Sequence, residues 1–334
     1  SVERLSGGRV AFGEVNGRLA DQLRIDEVAY QDAQQKIRIS GLNVEWKAWT
    51  LLLGRVDITN VSISTLRIAS VPSKNVLTMP LSLQLPARIV IKQAAIGRLV
   101  LTELGADGQE VKPLELKAII GSLDSRDLVH QLTAQVDSAW GGLHLKGQVQ
   151  TNTPFQVQGE FTYRGQPNQD LPKVLIQGNL SGSLQDLRIQ AQSVAKTKDG
   201  LTANPEQQAS ADMQLHLAPF SGTPLRSARL KIIDLNPQWI NQHAPSAMLD
   251  IDLDLQPPKV QVPAKIMPTP VVQTTALNGE IRIRNRAPQT IDKQGLPLKS
   301  FTSALEWQAD QLTLRKTVLE LLSGTVAAES KLQF

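Results

Sequence analysis

Three carboxylates at alternate positions, Asp250, Asp252 and Asp254, are the closest approach in this chain to an ion-binding motif. A calcium loop with that start needs a glycine at its sixth position for the sharp turn and a bidentate glutamate at its twelfth. Leu255 and Gln261 stand there instead, and the spacing of two puts the three side chains on the wet face of a strand. His130, His144, His216 and His243 are scattered without the short intervals of a metal site. Cysteine is absent, which removes disulfides, thiolate ligands and thiol nucleophiles. No phosphate-cradling glycine loop, GxSxG elbow or HExxH pair occurs. The expectation is a protein that is not an enzyme and holds neither metal nor cofactor. Arg282, Arg284 and Arg286 form a basic stripe, read either as a solvated strand face or edge, or as a contact for lipid headgroups.

The elements that position these groups are strands. The pattern is clearest over 36–68. Ile37 and Ile39 share a face, Gly41 breaks the phase, and Leu42, Val44 and Trp46 then share a face. That is strand alternation with a bulge. From Lys47 the period of two is lost; Trp49, Leu51, Leu52 and Leu53 precede Gly54, as in one or two helical turns ended by a glycine cap. Alternation returns as Val56 and Ile58, slips at Thr59 and Asn60, and resumes with Val61 and Ile63, then Leu66 and Ile68. The repeating unit is strand, apolar helix, strand, strand.

The rest of the chain follows suit. Strands are expected over 9–15 and 23–30. Two more lie within 88–102, with Ile89 and Ile91 before Ala94 and Ala95, and Leu99 and Leu101 after them. Segments 114–120 and 131–139 flank SLDSRDLVH, which reads as a helical turn with a Ser or Asp cap. Leu143 and Leu145 alternate, as do Phe155, Val157, Phe161 and Tyr163 with Gly159 in line. Strands over 174–180 and 184–194, the latter with Leu187 and Ile189, meet at a Ser-Gly-Ser turn. After a polar loop over 196–208, Met213, Leu215 and Leu217 alternate, then Leu230 and Ile232. In LNPQWINQHAP, Asn236 caps a short helix with Pro237 at its first position. Leu249, Ile251, Leu253 and Leu255 alternate before the Pro-rich linker 257–270. Ile281 and Ile283, Leu305 and Trp307, Leu312 and Leu314, and a final strand over 325–332 close the chain.

Aromatic residues make up only 4% of the 334 residues, and 35 Lys and Arg stand singly against 31 Asp and Glu, so no nucleic acid or other polyanion is expected as partner. No run reaches the ~18 apolar residues of a membrane-spanning helix. The chain opens at Ser1 without a signal-like apolar core and is expected to be a piece of something longer. About 20 strands imply one elongated body, on the order of 95 Å long at ~4.8 Å per strand. Its sub-units are expected at 1–105, 106–256 and 271–334. The helical inserts are too few to supply parallel crossovers, so the sheet should be an antiparallel meander with one apolar face. A second sheet, a membrane, or the cargo of an open trough can cover such a face. An outer-membrane barrel carries aromatic girdles, which this composition does not supply; sandwiches and an open trough both fit the pattern. Trp46, Trp49, Trp239 and Trp307 serve either as packing anchors where inserts dock or as contacts for acyl chains.

Segment 15–68 has a Gly-x-Leu opening, a strand ending in tryptophan, a Leu-Leu-x-Gly-Arg junction and an Ile-x-x-Val-x-Ile strand. Segment 277–334 has a Leu-x-Gly strand, a short loop, Leu-Pro-Leu and then three strands ending in Ser-Gly-Thr. With the insert DLNPQWINQHAPSAMLDIDLDL, these stretches resemble the amino-terminal periplasmic portion of the TamB family, inner-membrane subunits of the translocation and assembly module within the AsmA-like group. The group is similar in architecture to bridge-like lipid-transfer proteins. The resemblance implies an elongated β-taco, a curled open sheet with an apolar groove, in the periplasm of a Gram-negative bacterium. It implies an inner-membrane anchor preceding this segment, and an outer-membrane barrel partner, TamA, met through a segment not present here. The implied task is to carry phospholipid acyl chains along a groove lined by the alternating aliphatic residues named above. The alternative task is that of a chaperone or scaffold for outer-membrane protein assembly or autotransporter secretion.

Overall fold

The computed structural model describes residues 9–32, 34–71, 78–105, 109–138, 141–165, 175–193, 210–239, 243–258, 276–308 and 311–333. They form nineteen strands and three short 3-10 turns, a mainly β protein as the alternation requires. The chain divides into two compact units, Ser1–Gln166 and Pro167–Phe334. Strand pairing runs on across 105/106 and from 256 to 276, where the sequence placed boundaries. The Pro-rich linker lies largely outside the described residues.

In the first unit β1 (Val10–Phe12) and β2 (Val15–Arg18) both pair with β3 (Gln22–Gln31). The ladder continues through β4 (Gln35–Trp46), β5 (Arg55–Ser70), β6 (Arg88–Leu104), β7 (Glu110–Ser125), β8 (Val129–Ser138), β9 (Gly141–Gln150) and β10 (Gln156–Gly165). In the second, β11 (Leu175–Ser183), β12 (Leu187–Ser193), β13 (Ser210–Leu217), β14 (Leu225–Leu235) and β15 (Leu249–Gln256) pair in sequence. The same ladder takes in β16 (Ala276–Asn285), β17 (Leu298–Gln308), β18 (Gln311–Leu321) and β19 (Thr325–Gln333). Among the described residues no strand register joins the first strand of either unit to its last, so each unit's sheet is open.

One pair departs from the expected meander. β5 and β6 run parallel, in register from Arg55↔Arg88 to Ser70↔Glu103. A parallel neighbour needs a crossover, of which residues 78–87 are the described part before β6. The expected helical turn around 122–130 is instead a hairpin: β7 runs on to Ser125, and Arg126 and Val129 exchange backbone hydrogen bonds at 2.9 and 3.3 Å. The insert at Asn236 begins as expected: its described part is a 3-10 turn over Pro237–Trp239, with the Gln238 N–H donating to Asn236 Oδ1 at 3.1 Å.

The phase break at Gly41 belongs to more than one strand. Apolar residues step by three instead of two in every strand from β3 to β7: Ile25 to Val28, Ile39 to Leu42, Ile63 to Leu66, Ile96 to Leu99 and Leu116 to Ile119. All lie on matching register lines, so the break is a crease shared by five strands. Gly41 sits in it with φ 64°, and a β-carbon there would meet Ser64 Oγ at 2.4 Å. Ala118 takes φ 48° at the same line on β7. Such irregularities bend a strand and sharpen its twist.

Candidate functional site

Register shows what the alternation builds. Paired residues in a ladder share a face, and in the first unit one row runs Leu23, Val44, Val61, Ala94, Gly121, Ala134, Leu145, Phe161 across all eight strands from β3 to β10. Flanking rows on the same face carry Ile37, Ile68 and Leu101, then Leu42 and Ile63, then Ile58 and Ile91, with Val56 opposite Ile89 and Trp46 opposite Ile58. Leu143 and Val157 complete it on β9 and β10.

The second unit repeats the arrangement. Leu180, Ile189, Leu215, Ala228, Leu255, Gly279, Leu305 and Leu314 form one row across β11 to β18. Met213, Leu230, Leu253 and Ile281 form the next, and Ile232, Ile251, Ile283 and Phe301 a third. Leu187 pairs with Leu217, Leu249 lies opposite Leu235, and Trp307 opposite Leu312. Every aliphatic position singled out from alternation, apart from Phe155, thus lies on one face of its unit.

Each substantial contact between strands is a contact between hydrogen-bonded neighbours. Leu42, Val44, Ile63, Leu66, Leu145 and Leu230 are half-buried, covered by their neighbours on the same wall but still wetted. A sandwich core would bury them completely. Deeper burial centres on a cluster in the second unit, where Ala228, Leu255 and Leu305 pack with Leu215, Leu253, Ile281, Trp307 and Leu314, while Ile25 is buried in the first. In the first unit the opposite face has its own small buried patch at Ala69, Val100, Thr102 and Leu104.

That opposite face is charged and self-neutralising. Arg38 pairs with Glu27 at 3.0 Å, Arg98 with Glu115 at 2.8 Å, Arg229 with Asp254 at 3.2 Å and Arg315 with Glu306 at 2.7 Å. Asp250 accepts from Arg286 at 2.7 Å, and this guanidinium holds its carboxyl below the usual range against a weaker effect of burial. Burial acts most on Asp124 and would raise it, but the guanidiniums of Arg126 and Arg88 together bring it below the ordinary value. The three aspartates of β15 are therefore strand-face groups; two are engaged with arginine, and among the described residues no cluster has the makings of a metal site. Of the basic stripe, Arg282 turns to Glu280 at 2.6 Å and Arg286 to Asp250 and Asp234, while Arg284 stands in solvent opposite Asp250 in the ladder.

Sequence reasoning missed a strap. Residues 78–87, the described part of the β5–β6 crossover, are tied down at Leu83 and Gln84, at the rim where β5 and β6 begin. His130, which lies opposite Val149 on the apolar face, holds the Leu83 carbonyl with Nε2 at 2.6 Å. The Leu83 N–H donates to the Thr151 carbonyl at 3.0 Å, and Gln84 Nε2 to Asn152 Oδ1 at 3.2 Å. Ser125, His130, Thr151 and Phe155 are all buried around this attachment. Phe155 is wholly enclosed with φ 55°, so it is a packing residue and not part of the open wall. The signal was present in the alternation of Leu81, Leu83 and Leu85 between Pro80 and Pro86. Among the other histidines, His216 Nε2 meets Asp186 Oδ1 at 2.6 Å on the polar side. No protein-family model, curated protein or solved structure matches this chain.

Proposed function

We propose that the apolar face is a lipid-binding wall and that the chain carries phospholipid acyl chains along it. The observation that supports this most is the continuity of the apolar rows across every ladder from β3 to β10 and from β11 to β18, with most of the first unit's side chains only half-buried. Transferring an acyl chain from water to an apolar wall is worth about 0.8 kcal/mol per CH2, so a chain of about sixteen carbons gains on the order of 10 kcal/mol. Many equivalent Leu, Ile and Val positions let cargo move without a deep trap. The open edge leaves the headgroup in water.

The resemblance to the TamB family agrees with this reading and adds a setting, the periplasm between an inner-membrane anchor and the TamA barrel. Native mass spectrometry after gentle purification is expected to find bound phospholipid. Photo-crosslinkers at Leu145, Leu215, Leu253 and Ile283 are expected to capture lipid, whereas consistent capture of unfolded outer-membrane polypeptide would replace the conduit with a chaperone. Lipid-free protein with silent crosslinkers would end the proposal.

A further inference from the structure

Five connections meet at the rim of the first unit where β5 and β6 begin: 19–21, 47–54, 78–87, 126–128 and 151–155. Apolar side chains stand out from four of them. Leu19, Trp49, Leu53 and Leu128 are exposed, Leu52 is 90% exposed and Leu81 97%. At the other rim the described residues are less greasy; Val71 and Val111 there keep less than half their surface in water.

The 3-10 turn Ala48–Leu53 is held so that it must show these side chains. Its one buried residue is Thr50, whose hydroxyl donates to the Lys47 carbonyl at 2.7 Å and accepts from the Asp57 N–H at 3.3 Å. Gly54 closes the turn in the left-handed region at φ 67°, its N–H reaching the Leu51 carbonyl at 3.0 Å. With Thr50 facing the sheet, Trp49 and the leucines face out.

The rim is layered. Segments 48–54 and 80–87 contain no charged residue. They are flanked by the pairs Arg18–Asp21, Arg55–Asp57, Arg88–Asp124 and Arg126–Asp124, by the exposed Asp127 beside Leu128, and by Lys47 at the base of the tip, which has no carboxylate partner among the described residues. Near-complete exposure of Leu52 and Leu81 means that neither stands in a recess. Separate loops each projecting an apolar side chain suit a soft, fluid surface better than a shaped protein cleft, which would need a matching cavity for each. Tryptophan and leucine outermost, with an ammonium behind at phosphate depth, is the order of a bilayer interface.

We propose that this rim docks on a phospholipid bilayer, with Trp49, Leu52, Leu53 and Leu81 entering the acyl layer and Lys47 meeting phosphate. The inference goes beyond the lipid-carrying wall and holds whatever that wall carries. The rim is continuous with the wall through Trp46 and Ile58, so acyl chains leaving a docked bilayer would meet apolar surface throughout.

The chain lacks cysteine, so a single environment-sensitive fluorophore can be placed by Leu52→Cys and, as control, by Val111→Cys. With vesicles of phosphatidylethanolamine and phosphatidylglycerol, the label at 52 is expected to shift to the blue and the label at 111 to stay unchanged. The double variant Leu52→Asp, Leu81→Asp is expected to co-sediment with these vesicles about tenfold less than the parent chain, with unchanged circular dichroism because both side chains lie in solvent. A silent label at 52, equal shifts at both positions, or undiminished sedimentation of the double variant would overturn the proposal. So would a shift at 52 that follows protein concentration without vesicles, which would mark self-association. Lipid co-purifying with the double variant reports on the wall alone, so failure at the rim and failure of the wall are told apart.

Discussion

The two units build the same wall and finish it differently. In the first, the rows of Leu, Ile and Val are mostly half-buried, Ile25 apart, and the apolar excess spills onto one rim. In the second, Leu249, Leu255, Leu277 and Leu305 are buried, and polar side chains are set into the same face. Ser303 there bonds Thr317 at 2.8 Å, and Asn285 accepts from the Met248 N–H and donates to the Leu296 carbonyl, both at 3.1 Å. Exposed aliphatics of the second unit are few and scattered: Ile291 in a short turn, Leu322 in a hairpin loop, and Val326 and Leu332 on β19, which is exposed throughout. The comparison teaches that alternation dictates a wall, while connections decide how much of it stays wet.

That contrast can be broken experimentally. Leu305→Ala removes a buried member of the second unit's cluster and should cost about 2–4 kcal/mol; Leu66→Ala, half-buried in the first, should cost about 1 kcal/mol. Urea unfolding followed by a probe in each unit measures both, and equal losses would mean the two walls are packed alike. His130→Ala frees the strap and should cost about 1–2 kcal/mol. Its sharper signature is faster hydrogen exchange over 78–87 with none over 298–321. Gly41→Ala forces a β-carbon toward Ser64 at positive φ and should cost about 1 kcal/mol. Gly324→Ala, where a β-carbon meets nothing, is the matching control in the second unit.

The smallest effect is electrostatic. Asp250 is held below the ordinary carboxylate range by Arg286, so its contribution is complete above the unfolded value and fades as pH falls through the depressed one. Thermal melts of Arg286→Gln should therefore fall less steeply than the parent's below about pH 4. The pair is largely solvated, and the difference should be small.

The wall was legible because a period of two is local information: Leu42, Val44 and Leu253 need only their own neighbours in sequence to be placed. The slip at Thr59 and Asn60 was equally visible, and between Ile58 and Val61 β5 does step by three. What could not be read was pairing across distance. Nothing in 55–70 or 88–104 states that these strands run the same way, because that depends on where 71–87 travels. Trp49 read either as a docking anchor or as a contact for acyl chains, and sequence could not choose; the single hydroxyl of Thr50, bonded to Lys47 and Asp57, turns Thr50 to the sheet and leaves Trp49 exposed. Phe155 kept the right parity but sits after a turn, where parity no longer governs direction.

The parallel pair has a further consequence in time. Strands β3 to β5 and β6 to β10 are each joined by short reversals, and such neighbours can zip from their own turns within microseconds. Nothing local joins β5 to β6. Their union waits on closing a long excursion, the slow kind of contact in folding. The first unit should therefore assemble as two ribbons that meet late along a single suture, and the bond that fastens the strap at His130 is placed to secure that suture once it has closed.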